Sequence, residues 1–317
     1  MIALVEPAPG ATRGLVLDGD SVVAAHLVRD DEPLPVGMIA PARLVARIGA
    51  GRARAMIAGS EALLDPAPAD WHEGQSRLAQ VVRAARSDGA RDKHARIAAH
   101  PGPARAAPSL AETLAAAGHD VQMVPVHGPD LLAQAGWDDV AAQAQSGVVD
   151  FPGGRLLMVP TPAMLVIDVD GDGDLARLAE GAARAAAAAI ACHGIGGPIV
   201  VDFPTLAGRS ARSAVDRLLA DHLPAPFEKT AMNGFGLVQI IRPRGAPSLL
   251  EAARRPGFAA LELLRRAMRL TGAVTISGPA AVHDWLAARP ALTGELARLT
   301  GGRAALVLAE HSHVQTG

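Results

Sequence analysis

Two β-branched runs near the middle of the chain each end in aspartate, and an alanine-rich segment separates them. The runs are VIDVD at 166–170 and PIVVD at 198–202, and both are typical of strands. The segment at about 175–193 is predicted to be helical because of its alanine content. A strand–helix–strand order of this kind predicts an α/β sheet, in which the carboxyl ends of the strands face a ligand crevice.

The acidic turn after the first run begins like a calcium-binding loop but does not continue as one. Asp168, Asp170 and Asp172 take the first, third and fifth positions of the EF-hand pattern. The twelfth position should be a bidentate glutamate but is Ala179, and Glu180 comes one residue late. The segment before the turn is strand-like, whereas an EF-hand needs a helix there. We therefore exclude an EF-hand and keep the carboxylates as candidates.

Asp168 and Asp202 are the candidates for a metal site. If their strands are neighbours, the two carboxylates lie within reach of one hard cation, and carboxylates with water molecules are the usual ligands of Mg²⁺ in phosphate chemistry. The alternative is that each aspartate caps the next helix. We favour capping for Asp172 and Asp174, which come just before Leu175, but not for Asp202, because the next helix starts several residues later.

The remaining segments predict further strands, a small barrel and a terminal α/β module. Three short strands open the chain, and short β-like runs with glycine and proline at the joins fill residues 37–97, which suits a small β-barrel. Beyond Pro243, helices alternate with two strands, AVTISG and AALVLAE. We expect His311 and His313 to lie in a frayed tail and the three tryptophans to be packing anchors. Helices are predicted at about 109–118, 129–146, 175–193, 209–222, 247–270 and 279–299.

Charge and cysteine content narrow the classes of function. The chain has 30 basic and 32 acidic residues, a net charge of −2, which argues against a globally basic nucleic-acid-binding protein. Residues 76–97 are a local exception, with six arginine or lysine side chains against two aspartates. The single cysteine, Cys192, excludes an intramolecular disulfide and a multi-cysteine zinc site. Without an apolar run of about 18 residues or a signal-peptide pattern, we expect a cytoplasmic protein with no integral membrane association.

Four segments in the second half of the chain match one family pattern in order and spacing. They are Gly153–Gly154, Pro162–Asp170, Ile195–Phe203 and Phe235–Arg244. Together they resemble the catalytic region of the ribonuclease E/G family. In that family a Gly-Gly pair is followed by T-E-A-[LM]-x-x-I-D-[IV]-N, then [LI]-G-G-x-I-[IV]-[IV]-D-F, then F-G-L-x-E-[MI]-[ST]-R-x-R. A match in several ordered segments is more specific than any single motif.

A weaker resemblance extends over nearly the whole chain and implies a multidomain α/β (α+β) architecture. It implies an RNase H-like N-terminal part, an inserted S1-like (OB-fold) β-barrel, a DNase I-like α/β catalytic domain and a small C-terminal α/β module. The boundaries that it implies are 1–35 plus 99–150 for the RNase H-like part, 36–98 for the barrel insert, 151–245 for the catalytic domain and 246–317 for the C-terminal module.

The resemblance also implies an activity, a cofactor and a partner. It implies an endoribonuclease of RNA processing and decay that cuts single-stranded RNA, not DNA, with Mg²⁺ or in its place Mn²⁺, leaving 5′-phosphate and 3′-hydroxyl ends. Asp168 and Asp202 match the two metal-holding aspartates, and Asp170 takes the place of an asparagine that orients water or the scissile phosphate. The resemblance leaves open whether the protein forms a homodimer. The candidate RNA-binding residues are Lys93, which matches a family lysine, and Arg83, Arg91, Arg96, Arg209 and Arg212.

The sequence departs from the family pattern at several places. Asp170 in place of asparagine adds a negative charge beside the phosphate, and the family's 5′-phosphate-sensing domain has no counterpart after the barrel segment. Met56, Leu63 and Leu64 occur in the S1-like region where base-stacking aromatics are usual, so we expect a weaker grip on RNA. The zinc link C-P-x-C is absent after Arg244, so we expect no zinc.

These departures leave two alternative functions open. The first is a catalytically impaired relative that binds RNA without cutting it. The second is a metal-dependent phosphohydrolase that acts on small nucleotides with the same aspartates. Arginines on an exposed face are also often simply solvated, so the arginines of residues 76–97, Arg209 and Arg212 are open to that interpretation.

Overall fold

The computed structural model describes residues 1–87 and 92–316. Its strands are β1 (Ile2–Ala8), β2 (Ala11–Asp18), β3 (Ser21–Arg29), β4 (Ile39–Gly49), β5 (Arg52–Ile57), β6 (Ser60–Leu64), β7 (Ser76–Arg83), β8 (Arg86–Ser87), β9 (Asp92–Lys93), β10 (Ala95–Ala99), β11 (Asp120–Met123), β12 (Val148–Phe151), β13 (Gly154–Pro160), β14 (Leu165–Gly171), β15 (Gly197–Asp202), β16 (Glu228–Lys229), β17 (Leu237–Arg242), β18 (Gly272–Gly278), β19 (Gly301–Leu308) and β20 (His313–Thr316). Its helices are α1 (Leu110–Ala116), α2 (Leu131–Gln134), α3 (Trp137–Ser146), α4 (Leu175–Cys192), α5 (Arg209–His222), α6 (Leu249–Arg254), α7 (Phe258–Ala267), α8 (Ala280–Ala287) and α9 (Pro290–Thr300).

The first sheet has the strand order β11-β1-β2-β3 and is covered on both faces. Successive strand residues point to opposite faces. Val5 therefore packs with Leu110 of α1, whereas Leu4 packs with Leu132 and Trp137 of α2 and α3. This two-sided cover explains why β1 is apolar along most of its length instead of alternating with polar residues.

A closed barrel follows, with the strand order β10-β6-β5-β4-β7. Its interior is filled largely by alanine and aliphatic side chains around Trp71, whose ring is fully buried and donates from Nε1 to the carbonyl of Gln75 at 3.1 Å. Small inward residues leave the room that a large indole needs in a narrow barrel. The predictions of a mixed α/β class, of a small barrel and of a packing role for Trp71 are confirmed.

The central sheet has the order β12-β13-β14-β15-β17-β16, in which β14 and β15 are parallel and the other neighbours antiparallel. The crossover between β14 and β15 is α4, which packs on the sheet through buried Ala179, Ala183, Ala186 and Ile190. Alanines allow the helix to approach the sheet closely. Helix α5 packs into the same core through Val215 and Leu219. The core therefore lies on one side of this sheet, and the aspartates of β14 and β15 lie on the other.

The last sheet corrects the prediction of a frayed tail, because His313 begins β20, and His311 lies in the loop between β19 and β20. Strand β20 pairs antiparallel with β18, and the third strand, β19, pairs parallel with β18. Val314 packs against the core formed by α7, α8, α9 and β18. The partial burial of this side chain and the strand pairing hold residues 313–316 in place.

Two helices that the pattern predicted as continuous are interrupted. The predicted helix at 247–270 is α6 followed by α7, because Pro256 disfavours helical geometry at Arg255 and Gly257 takes a φ of +88°. The predicted helix at 129–146 is α2 followed by α3, with Gly136 at a φ of +98° between them. None of the helices in the described ranges is long and apolar enough to cross a membrane.

A buried ionic contact connects the first sheet with α7. Arg13 of β2 is fully buried, and its Nε donates to Oε1 of Glu262 at 2.9 Å. Its Nη2 donates to the carbonyl of Leu261 at 2.8 Å, and Nε1 of Trp137 donates to the second carboxylate oxygen of Glu262 at 2.9 Å. Burial lowers the pKa of Arg13, and the neighbouring Glu262 raises it.

Candidate active site

Asp168 and Asp202 occupy paired positions at the ends of two neighbouring parallel strands. The register between β14 and β15 runs from Leu165 opposite Ile199 to Asp168 opposite Asp202. The residues just before them, Ile167 and Val201, are fully buried under α4 and α5, so the two aspartates point to the opposite, exposed face. Adjacent strands lie about 4.8 Å apart, so both carboxylates start from nearly the same place. The strands are neighbours, as the metal hypothesis requires.

Asp170 lies one pleat beyond Asp168 on the same face of β14. Its register partner on β13 is Arg155, whose Nε is 3.6 Å from Oδ1 of Asp150 on β12. Asp170 therefore has a cationic side chain as its cross-strand neighbour.

Within residues 1–87 and 92–316, no group of three or more His, Cys, Asp or Glu side chains is arranged to hold a metal ion.

Paired glycines allow β13 and β14 to approach closely at this end. Gly154 is the register partner of Gly171, and a Cβ on Gly154 would lie 2.5 Å from the carbonyl oxygen of Asp170. A Cβ on Gly171 would lie 2.6 Å from the carbonyl oxygen of Gly153. Gly154 of the Gly-Gly pair thus has a steric role directly beside the acidic strand end, whereas Gly153 takes a φ of +93°, which favours glycine.

The acidic turn also starts α4, and only one of its aspartates is the cap. Asp174 is the N-cap residue and accepts from the backbone N–H of Arg177 at 2.9 Å. The capping prediction is confirmed for Asp174 and wrong for Asp172, which lies exposed in the turn before the cap. The side chain of a residue two positions before the N-cap lies outside the geometry that reaches the first free N–H groups.

The chain beyond Asp202 places a helix N-terminus at the same end of the sheet. Residues 203–208 form a loop, and α5 begins at Arg209 with Gly208 as its N-cap and no side-chain cap. Asp202 therefore caps no helix, as predicted. Arg209 is exposed, and Nη1 of Arg212 donates to the carbonyl of Leu206 at 3.0 Å. The N–H groups at the start of a helix favour anions, so this end of the sheet combines carboxylates with anion-binding groups.

A turn before β17 comes next to Asp202, and sequence reasoning about single residues missed it. Oδ1 of Asn233 accepts from the backbone N–H groups of Phe235, at 2.9 Å, and Leu237, at 3.1 Å. Leu237 is the register partner of Asp202 on β17. The Phe-Gly-Leu segment of the family pattern, which includes Phe235, was the signal that could have identified this turn.

The basic residues of the barrel lie at the other end of the sheet. Arg83 and Lys93 line a cleft of about 660 Å³ that also includes Arg244 and the start of β15 at Gly197. Asp202 comes five positions after Gly197, which is roughly 16 Å at strand spacing. The structure therefore brings the three aspartates together with Arg209 and Arg212, but not with the barrel residues.

The remaining barrel candidates differ in their surroundings. Burial lowers the pKa of Arg83, and the nearby Arg96 and Arg86 lower it further. Nε of Arg96 donates to the carbonyl of Asp65 at 3.1 Å. Arg91 lies outside the described residues. Of the positions compared with family aromatics, Leu64 is a core residue of the barrel, so a side chain there could not stack on RNA, whereas Met56 is 38% exposed.

His193 and Cys192 end α4 away from the acidic edge. His193 is the C-cap residue and is fully buried; neither ring nitrogen has a hydrogen-bond partner among the described residues. Burial lowers the pKa of His193 to about 4 and raises that of Cys192 to about 11. Both side chains are therefore neutral and contribute packing.

Comparison with known families agrees with this geometry. Residues 103–245 match the sequence model described as the Ribonuclease E/G family. The match includes β14, β15, β17 and α5, and with them all three aspartates. No curated protein matches the chain.

Proposed function

The chain belongs to the ribonuclease E/G family through residues 103–245, and on that premise we propose that it is a Mg²⁺-dependent endoribonuclease. The family indicates endoribonuclease activity in RNA processing. The finer proposal is hydrolysis of single-stranded RNA to 5′-phosphate and 3′-hydroxyl ends. The observation that carries it is the register pairing of Asp168 with Asp202 on one exposed sheet face.

The donor set at this edge fits Mg²⁺. Two carboxylate side chains from adjacent strands, completed by water, are a usual ligand set for this small, hard cation, which binds few protein ligands. Asp168 and Asp202 would hold it. When bound, Mg²⁺ supplies positive charge beside the scissile phosphate and makes an attacking water more acidic. Mn²⁺ takes the same oxygen ligands and could replace it.

The other residues at this edge have positioning roles in the proposal. Asp170 accepts hydrogen bonds from the attacking water and orients it, and Arg155 opposite it offsets part of its negative charge. The uncapped start of α5, with Arg209, binds a phosphate of the RNA. Arg83 and Lys93 would bind phosphates of the RNA that are several nucleotides from the scissile one, since their cleft is at the opposite end of the sheet from the aspartates.

Asp170 favours a second candidate function, an RNA-binding protein that does not cut. The carboxylate of Asp170 repels the RNA phosphate, whereas the asparagine amide at this position in the family pattern would help to orient it. Such a protein binds RNA with an affinity that Asp202→Asn leaves unchanged, and it shows no turnover.

The endoribonuclease proposal also includes the domain boundaries given above, a preference for RNA over DNA and a homodimer.

Cleavage of an A/U-rich single-stranded RNA tests the proposal. We expect products with 5′-phosphate ends in Mg²⁺, none in EDTA, and none with Asp168→Asn or Asp202→Asn. Asp172→Asn is the matched control, because Asp172 is an exposed carboxylate in the same turn that makes no cap bond. Absence of metal-dependent products at high enzyme concentration would exclude the nuclease and leave the non-cutting RNA-binding protein and the small-nucleotide phosphohydrolase, which a small-nucleotide turnover assay separates.

A further inference from the structure

Phe235 is exposed to a degree that folding does not explain. Its side chain is 79% exposed, whereas Phe203 and Phe258 are each 2% exposed, and Phe151 and Phe227 pack against the central core. Burying a phenylalanine ring is worth about 1.5–3 kcal/mol, so leaving one in water forgoes that stabilisation. A largely exposed aromatic ring beside a candidate active site points to a ligand that covers it.

The backbone of the turn that carries this ring has a defined conformation. Asn233 bridges the N–H groups on both sides of the turn, and the N–H of Phe203 donates to the carbonyl of Gly236 at 3.2 Å. Gly236 has a φ of +94°, and a Cβ there would lie 2.2 Å from the carbonyl oxygen of Phe203. Because Phe203 directly follows Asp202, the turn is anchored to the strand end that carries the aspartate.

The ring is close to the paired aspartates. Leu237 pairs with Asp202, and Phe235 is two residues before Leu237. Two residues of chain span at most about 7 Å, and cross-strand partners are about 5 Å apart, so the Cα atoms of Phe235 and Asp202 lie within roughly 12 Å. That separation suits a base that flanks a phosphate held at the aspartates and at the start of α5.

Few other aromatic rings in the described ranges are available for stacking. Trp71 and Trp137 are fully buried, and Arg289 lies over Trp285 at 4.1 Å from the ring centroid. The barrel positions compared with family aromatics carry aliphatic side chains. Single-stranded nucleic acids are commonly bound by stacking their bases on exposed aromatic rings, and this contact tolerates any base.

We infer that Phe235 is a base-stacking platform that positions a nucleotide of single-stranded RNA beside the scissile phosphate. The inference rests on the proposed function for the identity of its ligand. Phe235 does not touch the reacting atoms, so it is a positioning residue. In the family pattern the base-stacking aromatics are in the barrel, whereas in this chain the stacking ring would be at the sheet edge that carries the aspartates.

Equilibrium binding of a short single-stranded RNA in EDTA tests the stacking directly, with no need for cleavage. Phe235→Ala should weaken binding about 5- to 150-fold, the usual effect of losing one base–ring contact. Phe235→Trp should bind at least as tightly as the wild type. Phe235→Leu, which keeps apolar area but not the flat ring, should resemble the alanine variant. Ile241→Ala is the matched control, since Ile241 is 58% exposed on the next strand but lies at its far end, and it should bind RNA normally.

A second set of measurements identifies the contact as a base. RNAs that each lack one base should be compared for binding to the two proteins. At one position, loss of the base should weaken binding to the wild type but leave binding to Phe235→Ala unchanged. In Mg²⁺, Phe235→Ala should raise KM more than it lowers kcat. Equal RNA affinity in the wild type and Phe235→Ala would overturn the inference even if cleavage is observed. Loss of affinity in Phe235→Ala without cleavage by the wild type would support the inference and reject the nuclease.

A wild-type protein that does not bind RNA would overturn both proposals. A change in oligomeric state in Phe235→Ala with unchanged RNA affinity would assign the ring to a protein interface and overturn the inference. Because the ring is exposed, none of the three variants at this position should alter the thermal midpoint by more than a few degrees, which a melting curve checks.

Discussion

Asp168 and Asp202 are register partners on parallel strands, and both carboxylates lie on the sheet face opposite α4. Like charges on directly paired strand positions destabilise a sheet, by roughly 0.2–1 kcal/mol. The pair therefore lowers stability unless a cation lies between the two groups. A cation that binds only the folded form would offset this loss, by an amount that grows with the logarithm of its concentration once the site is saturated.

Asp202→Asn should therefore stabilise the protein in EDTA and remove its response to Mg²⁺. We expect an increase of roughly 0.2–1 kcal/mol in the free energy of unfolding without metal. Added Mg²⁺ should raise the thermal midpoint of the wild type and of Asp172→Asn, but not that of Asp202→Asn. A Mg²⁺-dependent rise that persists in Asp202→Asn would argue against cation binding at this pair.

Asp170→Asn should strengthen RNA binding. The substitution keeps the shape of the side chain and removes one negative charge near the proposed phosphate position, an effect of about 1 kcal/mol at an exposed site, or about fivefold in affinity. Titration of RNA in EDTA at low salt measures it, and higher salt should shrink the difference. If the affinity is unchanged, the phosphate does not lie near Asp170.

Arg13→Ala should destabilise the protein strongly. It leaves Oε1 of Glu262 without its charged partner in a largely buried position, while Oε2 still accepts from Trp137, and removing one partner of a buried ion pair costs about 3–5 kcal/mol. Arg54→Ala is the control, because Arg54 and Glu61 form an exposed pair at 3.8 Å, worth at most about 1 kcal/mol. Urea unfolding compares the two, and similar losses would mean that the Arg13 contact is not specifically important.

Stability should fall in mild acid because of His193. Its pKa is lowered to about 4 in the folded protein from 6.5, so the unfolded chain takes up the proton first as the pH falls. Stability is therefore complete above about pH 6.5 and decreases toward pH 4, by at most about 1.4 kcal/mol per pH unit. The difference in pH slope between wild type and His193→Leu isolates this contribution.

Gly154→Ala should disrupt the acidic strand end. The new Cβ would lie 2.5 Å from the carbonyl oxygen of Asp170, a contact that only a shift of β13 or β14 can relieve. We expect a loss of several kcal/mol and loss of any Mg²⁺ response. Gly294→Ala is the control, since Gly294 is in α9 with nothing within 4 Å of the new atom, and it should stabilise by about 0.5–1 kcal/mol. Equal stability of the two variants would contradict the steric role of the paired glycines.

Local pattern was sufficient where a residue's role depends on its neighbours in sequence. Alternation of apolar residues along β14 and β15 indicates which side chains share a face, and the alanine content of residues 175–193 indicates a helix that can pack closely on a sheet. For this reason the α/β unit, the small barrel and the aspartates at two strand ends could all be predicted. Capping was predictable only in part, because Asp172 and Asp174 differ by two positions and only one reaches the free N–H groups.

Features that depend on distant partners could not be predicted in this way. Val314 holds the last strand through a core built mainly from α7, α8, α9 and β18, although its own surroundings in sequence resemble a loose tail. The sequence also does not determine where the basic stretch lies relative to the aspartates, and Arg83 and Lys93 of the barrel lie at the opposite end of the sheet from Asp202.

The sequence by itself determined the elements, the faces of the strands and the acidic character of two strand ends, because these follow from periodicity and side-chain chemistry over a few residues. Only the tertiary structure decided that Asp168 and Asp202 are paired across a parallel ladder and that Phe235 lies exposed beside them. Strand pairing joins segments that are far apart in the chain, and its register is selected by the burial of the whole sheet face against α4 and α5.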